Sequence, residues 1–365
     1  MQIALTKKLA GALGLKLPAT AEEPNPLFKW TANWMKVWEN RKADDLLVLV
    51  NHATRFAVAV YQFKRKDLKN FDRIMRAAIE NTMFAMNFNP EVVADYFAMA
   101  GEIQYVPNRG GKTSAWTTKA GLDCGFHVDA LYNRPGNVFD DTLASSLNQS
   151  LVGYTAGHEH SFVPFRAMSK ALADLTGKPI HRYRAFELEV TLDLEIYTVL
   201  RRLLVPANLT FDRFHKVLQS AFSWRDNHLY EYRFPEREGH ASITMLPLAD
   251  ALGVDEKINT MSGRTLAEIF PEHPRLDYIY DFGDNWVHEI RFVREIEDYD
   301  KPSPYLLEAE GRTPPEDVGG VGGFLSFRDA YLDPDHPDYQ EAHEWARYWS
   351  PELNDWDKRP SELRL

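Results

Sequence analysis

The chain has 365 residues and a formal net charge of −11, with 44% hydrophobic and 26% charged residues, a balance typical of globular proteins. One hydrophobic core rarely grows beyond ~250–300 residues, so this length predicts two domains. The sequence has no run of ~18 apolar residues, no signal-peptide pattern and only one cysteine, which excludes membrane-spanning and disulfide-scaffold classes and favours a cytoplasmic protein with no membrane partner.

Charge is distributed unevenly along the chain. Residues 1–175 contain 20 basic and 17 acidic residues (net +3), whereas residues 176–365 contain 22 basic and 36 acidic residues (net −14). A protein that binds duplex nucleic acid needs a basic surface that neutralises phosphates. The second half is therefore a poor candidate for direct contact with DNA.

The first half combines helical and strand patterns. Residues 6–15 predict a short opening helix, and two β-rich runs at 45–50 and 55–63 predict a hairpin. Further along, we expect a helix over 66–87, a second helix from Pro90 to Gly101, and strands and turns over 102–135.

Two other patterns of the first half have helical spacing. Trp30, Trp34 and Trp38 recur every four residues, which suits the packing face of a helix. Four basic residues share one face of the helix predicted over 66–87: Lys66, Lys69, Arg73 and Arg76. This stripe is either a weak nucleic-acid contact or an ordinary solvated helix surface.

The polar segment 141–178 predicts a linker with a short helix, which leaves an N-terminal domain over 1–140 and a second domain over 179–365. In the second domain, we expect long strands at 183–192 and 196–205, then a helix from the N-cap Thr210 to about Phe222. Further strands are expected at 228–234, 277–282 and 286–295. An irregular loop is expected at 300–323, and two helices at about 324–332 and 338–349 close the chain. The predicted class is α+β, with two mixed domains, the second built on antiparallel hairpins with flanking helices.

The segment 277–290 carries the most informative polar pattern. A two-residue turn at Gly283-Asp284 or Asp284-Asn285 would put Asp281 on the same sheet face as Trp286 and His288. A carboxylate and an imidazole on one rigid face suit general acid/base catalysis or metal binding, and Asp284 and Trp286 suit contacts to a ligand. The alternative is a buried Asp–His hydrogen bond beside a turn-forming aspartate.

The segment 311–324 is rich in proline and glycine. Two prolines stiffen the chain before Glu316 and Asp317, which with Asp281 and His288 form a candidate set of divalent-metal ligands. Gly319 and Gly320 then offer backbone N–H groups to a phosphate bridged by that metal. The alternative is a structural loop whose glycines supply turns.

His228 follows the predicted helix at a junction with a strand, where it could act as an acid or base, and Trp224 is a candidate ligand contact beside it. His215 falls on the apolar face of the same helix and is expected to be a core histidine. Cys124 is expected to be a buried thiol without catalytic support.

The second half resembles the plasmid pRiA4b ORF-3-like family through four segments in order: 204–232, 278–290, 314–324 and 332–339. Relatives often have a cysteine before the paired prolines, and Thr313 stands there instead, so a thiol-based role of that loop is not expected. The resemblance implies a plasmid or mobile-element origin and no settled activity; some relatives are labelled resolvases, but no serine with surrounding arginines supports that label here. The first half resembles a bacterial domain of unknown function through 6–15, 46–51 and 64–71.

Three functions follow from these patterns. The favoured one is a module that binds a protein or a small-molecule ligand. The alternative is a metal-dependent enzyme that acts on a phosphorylated or nucleotide substrate, with Asp281, His288, Glu316 and Asp317 on the cation and His228 as acid or base. Nucleic-acid binding through the basic stripe is the third. Convergence of the 281 and 316 segments in space would favour the metal-dependent function.

Overall fold

The computed structural model divides the chain into two compact units, Met1–Arg182 and Tyr183–Leu365. The structure describes residues 1–17, 22–37, 45–127, 139, 141–153, 161–234, 243–247, 259–261, 263–301, 303–347, 349–350 and 361–363. Each unit combines one β-sheet with several helices, so the α+β class expected from the sequence is confirmed. No helix within these ranges is long and apolar enough to cross a bilayer.

Five strands form a mixed sheet in the part of the first unit that the structure describes. Its strands are β1 (Gln2–Leu5), β2 (Lys29–Met35), β3 (Leu46–Asn51), β4 (Ala57–Tyr61) and β5 (Gln104–Pro107). Their order is β4-β3-β2-β1-β5, in which β1 pairs in parallel with β2 and β5 and the other pairs are antiparallel. The hairpin expected over 45–63 is confirmed, since β3 and β4 pair antiparallel. Their leucine and valine side chains favour strands and are buried on both faces of the sheet.

Helices pack around this sheet. They are α1 (Lys7–Leu13), α2 (Phe71–Ala85), α3 (Pro90–Ala100), α4 (Lys112–Cys124), α5 (Asp141–Gln149) and α6 (Pro164–Thr176). The Thr6 hydroxyl caps α1 by accepting a hydrogen bond from the Leu9 N–H, and Gly14 ends the helix at a φ of 67°. The helices expected over 6–15 and 90–101 are confirmed. The helix expected over 66–87 is preceded by a 3-10 helix, Arg65–Asn70, and α2 begins only at Phe71.

Two expectations for the first unit are wrong. Residues 102–135 contain the helix α4, whose many threonine, serine and lysine side chains give only a weak apolar period. Trp30 and Trp34 lie in β2, because a spacing of four residues is even and fits a strand as well as a helix. Trp38 lies outside the described residues.

The segment expected to be a linker, residues 141–178, contains α5 and α6, and both pack into the first unit. The Asn148 side chain accepts from the N–H of Ala57 and donates to its carbonyl, both at 2.8 Å. Met168 and Leu172 of α6 are fully buried in the core that contains α2 and α3. These residues therefore complete the first unit.

The turn between α2 and α3 forms hydrogen bonds with residues 179–181, the last segment of this unit. The Asn89 N–H donates to the Ile180 carbonyl at 2.6 Å, and its side-chain amide donates to Pro179 at 3.1 Å. His181 Nδ1 lies 3.0 Å from the carbonyl of Asn87. These contacts place the boundary between the units after residue 182.

In the described residues of the second unit, nine strands form one sheet. Its strands are β6 (Tyr183–Asp193), β7 (Thr198–Pro206), β8 (Tyr230–Phe234), β9 (Ile243–Leu246), β10 (Asn259–Thr260), β11 (Arg275–Tyr280), β12 (Trp286–Tyr299), β13 (Tyr305–Glu310) and β14 (Ser361–Glu362). The order is β10-β9-β8-β11-β12-β6-β7-β13-β14, and all pairs except β9–β10 are antiparallel. The strands expected at 183–192, 196–205, 228–234, 277–282 and 286–295 are confirmed in substance.

Three helices of the described part of this unit are α7 (Phe211–Phe222), α8 (Gly320–Leu332) and α9 (Tyr339–Trp345). The helix expected from Thr210 to Phe222 is confirmed, and its apolar face lies in the core. The expectation of an irregular loop over 300–323 is wrong in two places. It contains β13, and α8 begins at Gly320, so three of the four glycines belong to the first turn of a helix.

Candidate functional site

A five-residue loop, 281–285, joins β11 to β12 at one end of the sheet. Tyr280 pairs with Trp286 and Tyr278 with His288, so both two-residue turns predicted from the sequence are wrong. Asp281 sets the longer loop, because its Oδ1 accepts the N–H of Gly283 at 2.9 Å and of Asp284 at 3.3 Å while its own φ is 57°. Asp281 therefore lies at the start of the loop, beyond the end of β11.

His228 lies in the segment between α7 and β8, next to this loop. Its Nε2 is 3.6 Å from Asp281 Oδ2 and 3.1 Å from Asp317 Oδ1. This nitrogen is inaccessible to solvent and makes no hydrogen bond of acceptable geometry with the described residues. The backbone holds the arrangement, since the Asp281 N–H donates to the Leu229 carbonyl at 2.9 Å.

The loop before α8 brings in the second carboxylate. Asp317 is exposed and has a left-handed φ of 62°, and the glycines at 319 and 320 have φ of 91° and 67°. The Gly319 N–H donates to Asp284 Oδ2 at 3.1 Å, and the backbone of Gly320 touches the Asp284 carbonyl so closely that a Cβ would lie 2.4 Å from it. Gly319 and Gly320 therefore dock this loop onto the 281–285 loop.

The Glu316 carboxylate is engaged in hydrogen bonds that hold the surrounding segments in place. Its carboxylate accepts the Tyr280 hydroxyl at 2.7 Å and the Arg225 N–H at 3.2 Å, and the Tyr280 oxygen in turn accepts the Asn227 N–H at 3.1 Å. Burial raises the pKa of Tyr280 above its ordinary value, and the neighbouring Glu316 carboxylate adds to this, so the phenol remains a donor at neutral pH. This network fixes the segment that presents His228.

One imidazole and two carboxylates thus converge from three separate segments. His228, Asp281 and Asp317 each offer a ligand atom, and these atoms all lie within 4.8 Å of one another. One nitrogen and two oxygen donors at this spacing can hold a divalent cation. Of the metal ligands predicted from the sequence, Asp281 and Asp317 belong to this cluster, whereas His288 and Glu316 do not. His228, predicted as an acid or base, is the third member.

His288 is buried beneath the site. Its Nδ1 lies 3.2 Å from the Tyr278 carbonyl and 3.1 Å from the Trp286 carbonyl, so this nitrogen carries a proton and donates. Burial lowers the pKa of His288 to about 3, which leaves the ring neutral at physiological pH. His288 packs edge-on against Phe222 and Trp224 at centroid distances of 4.5 and 5.2 Å, as part of the core.

The two tryptophans predicted as ligand contacts support the site from below. Trp286 is 1% exposed, and Trp224 stacks on Tyr280 at a centroid distance of 5.0 Å. The Trp224 indole N–H donates to the Pro314 carbonyl at 3.2 Å, which anchors the proline-rich loop. Trp224 also lines a surface groove, whereas Trp286 does not.

Sequence reasoning missed two polar groups near the site. Tyr280 was detectable, because it shares a strand face with Tyr278 and ends the strand before Asp281. Asp226 hydrogen-bonds His215 Nε2, and Tyr278 lies 2.8 Å from Nδ1 of the same ring. The expectation that His215 is a core histidine is confirmed.

The basic stripe of the first unit is not one continuous helix face. Lys66 and Lys69 lie in the 3-10 helix, whereas Arg73 and Arg76 lie in α2. The Arg76 guanidinium packs over the Phe97 ring at 4.4 Å. Cys124 is fully buried, and burial raises the pKa of its thiol to about 12, as expected for a structural cysteine.

Comparisons with known proteins match both halves. Residues 184–358 match the model of the plasmid pRiA4b ORF-3-like protein, and residues 2–167 match a domain of unknown function (DUF6933). The uncharacterized protein y4hQ of Sinorhizobium fredii (strain NBRC 101917 / NGR234) is 37% identical over 160 residues, which are 44% of this chain and 79% of y4hQ. The crystal structure of the protein of unknown function MM3350 from Methanosarcina mazei Go1 matches 48% of this chain and 95% of its own, at 24% identity and a TM-score of 0.42.

Proposed function

The chain belongs, through its second unit, to the plasmid pRiA4b ORF-3-like family, and from this premise we propose that this unit is a metal-dependent ligand-binding module. His228, Asp281 and Asp317 hold one divalent cation in this proposal. The observation that carries it is their convergence, with ligand atoms within 4.8 Å of one another on three segments that are far apart in sequence.

The state of His228 strengthens this proposal. Its Nε2 is buried between two carboxylates and lacks a well-formed hydrogen bond to the described residues, although buried polar atoms are normally satisfied. A cation between the three groups would satisfy the nitrogen and offset the repulsion between the carboxylates. A mixed nitrogen and oxygen set suits Mn²⁺, Fe²⁺ or Zn²⁺ better than Ca²⁺ or Mg²⁺, which prefer oxygen.

The three-ligand set also supports a second candidate function, a metal-dependent enzyme that acts on a phosphorylated or nucleotide substrate. Three protein ligands leave coordination positions for water or a substrate, as in catalytic zinc sites. Binding is placed first because Glu316, a further carboxylate of the same loop as Asp317, already accepts hydrogen bonds from Tyr280 and Arg225 that fix this loop. A plasmid or mobile-element origin and a cytoplasmic location stay predictions.

Metal binding by calorimetry tests the proposal. The full-length protein is titrated with Mn²⁺, Zn²⁺ and Mg²⁺, beside the variants Asp281→Asn and Asp317→Asn and the control Asp335→Asn, an exposed carboxylate of the same unit. We expect one equivalent of Mn²⁺ or Zn²⁺ to bind the wild type and the control. Each of the two site variants should weaken binding at least about tenfold, since each loses one charged ligand.

Two outcomes would contradict the proposal. The first is a wild-type protein that binds none of the three cations at millimolar concentration. The second is a site variant that binds the cation as tightly as the control does, with an unchanged far-ultraviolet circular dichroism spectrum.

A further inference from the structure

A groove of about 370 Å³ opens beside the metal cluster, on the side of Glu316 and Asp317. It lies between the end of α7, the loop 312–317 and the segment after α9. This volume falls within the range of ~300–1,000 Å³ that is usual for small-molecule sites. It suits a single small ligand better than a polymer.

Arginines line the groove although the second half of the chain has a net charge of −14. Three of them come from different segments: Arg225, Arg312 and Arg347. Neither Arg225 nor Arg347 forms an ion pair in the described part of the chain, and both are exposed. Guanidinium groups bind phosphate through paired, charge-assisted hydrogen bonds, so this arrangement favours an anionic ligand.

The groove also has an aromatic wall. Trp345 is 50% exposed, and its ring packs at 69° against Phe327 with a centroid distance of 5.4 Å. A large exposed indole that is fixed from behind can stack on a planar ring of a ligand at little cost in side-chain entropy. A phosphate site alone would not need this surface.

The floor of the groove is held rigidly. Tyr197 donates its hydroxyl to the Arg312 carbonyl at 2.7 Å, and the Trp349 indole donates to the Thr313 carbonyl at 2.9 Å. Arg201, fully buried, donates to the Thr313 hydroxyl at 3.0 Å. Thr313 thus serves as a hydrogen-bond acceptor, and these contacts hold the loop in place before a ligand binds.

From these features we infer that the groove binds a nucleoside phosphate, with its ring on Trp345, its phosphates on Arg225 and Arg347, and a phosphate oxygen on the cation at Asp317. The inference rests on the proposed metal-binding function and specifies its ligand. The cation is needed because Asp317 and Glu316 would otherwise repel the phosphates.

Calorimetry with three probes tests each part of this inference: ADP, adenosine and pyrophosphate, each with and without Mn²⁺. The wild type should bind ADP with Mn²⁺ at least about tenfold more tightly than it binds adenosine, pyrophosphate, or ADP without metal. The double variant Arg225→Ala/Arg347→Ala should weaken ADP binding at least about tenfold and leave Mn²⁺ binding unchanged. Arg291→Ala is the control, since it removes an exposed arginine that pairs with Glu289.

Trp345→Leu separates ring recognition from phosphate recognition. This variant should remove the preference for ADP over pyrophosphate while Mn²⁺ binding and the melting temperature stay near those of the wild type. Mn²⁺ binding without any ADP binding would overturn the inference and leave the proposed function intact. Absence of Mn²⁺ binding would contradict the proposed function itself. Tighter binding of a single-stranded oligonucleotide than of ADP would assign the groove to a polymer and overturn the inference.

Discussion

The contact between Gly320 and the 281–285 loop leads to a sharp prediction about the stability of the second unit. A Cβ at Gly320 would lie 2.4 Å from the Asp284 carbonyl oxygen, and the φ of 67° is one that other residues adopt only at a cost. The left-handed conformation costs about 1–2 kcal/mol, and forcing a methyl group against backbone costs about 1–3 kcal/mol. We therefore expect Gly320→Ala to lower the free energy of unfolding by about 2–5 kcal/mol.

Gly322, two residues along the same helix, is the matched control. A Cβ there would meet no atom within 4 Å, and no left-handed backbone is involved. Gly322→Ala should raise the free energy of unfolding by about 0.5–1 kcal/mol, because glycine loses more backbone freedom on folding than alanine does. Opposite signs from the same chemical change at positions two residues apart would isolate the effect of the contact with Asp284.

Urea unfolding of the full-length variants measures both values. Because the chain has two units, the transition of the second unit is identified by hydrogen exchange of peptides from 277–290. A loss below about 0.5 kcal/mol in Gly320→Ala, or equal effects of the two substitutions, would refute the close approach that docks the loop before α8 onto the hairpin.

Three further predictions follow from buried polar groups. Burial lowers the pKa of His288 to about 3, so below pH 6.5 the unfolded state binds a proton that the folded state does not. The free energy of unfolding of the second unit should therefore fall by about 1.4 kcal/mol per pH unit between about pH 6 and pH 4. His288→Gln should remove this dependence when urea unfolding is compared at pH 5 and pH 7. Arg201→Met should lower the free energy of unfolding by about 3–5 kcal/mol, with little rescue by Arg201→Lys, because the buried guanidinium donates to several backbone carbonyls and an ammonium cannot reproduce its planar set of donors. An unchanged midpoint of urea unfolding in Arg201→Met would contradict this. Cys124 should react with a thiol reagent at a rate set by unfolding, since its pKa is raised to about 12 and the thiol is buried; complete labelling within the mixing time in native buffer would exclude this.

Much of the fold could be predicted because local pattern and tertiary environment agree. The β3 and β4 runs are both apolar and rich in β-branched residues, and α3 begins with an Asn-Pro pair and ends at a glycine, so composition and capping give the same result. α4 escaped prediction because its polar residues give no strong period, and it is stabilised by packing on β2 and β3. Local propensity carries no information about that packing.

The candidate site was predictable in its parts, and its assembly was not. Asp281 and Asp317 were recognised from their glycine and proline neighbours, and His228 from its position after a helix. The loop length at 281–285 depends on side-chain to backbone hydrogen bonds of Asp281, which no periodicity records. The grouping of His228 with the carboxylates follows from the β8–β11–β12 strand order, which brings together residues that are far apart in the chain.

The contacts of the 179–181 segment with the turn at 87–89 matter for synthesis of the protein on the ribosome. All five described strands of the first unit have emerged once β5 is made, but α6 and the 179–181 segment follow much later. The match to the domain of unknown function (DUF6933) ends at residue 167, inside α6. A chain that ended there would lack the buried Leu172 and the 179–181 segment. A nascent chain of that length should expose apolar surface to chaperones, and the packing of the first unit should be completed only after residue 182 has left the exit tunnel.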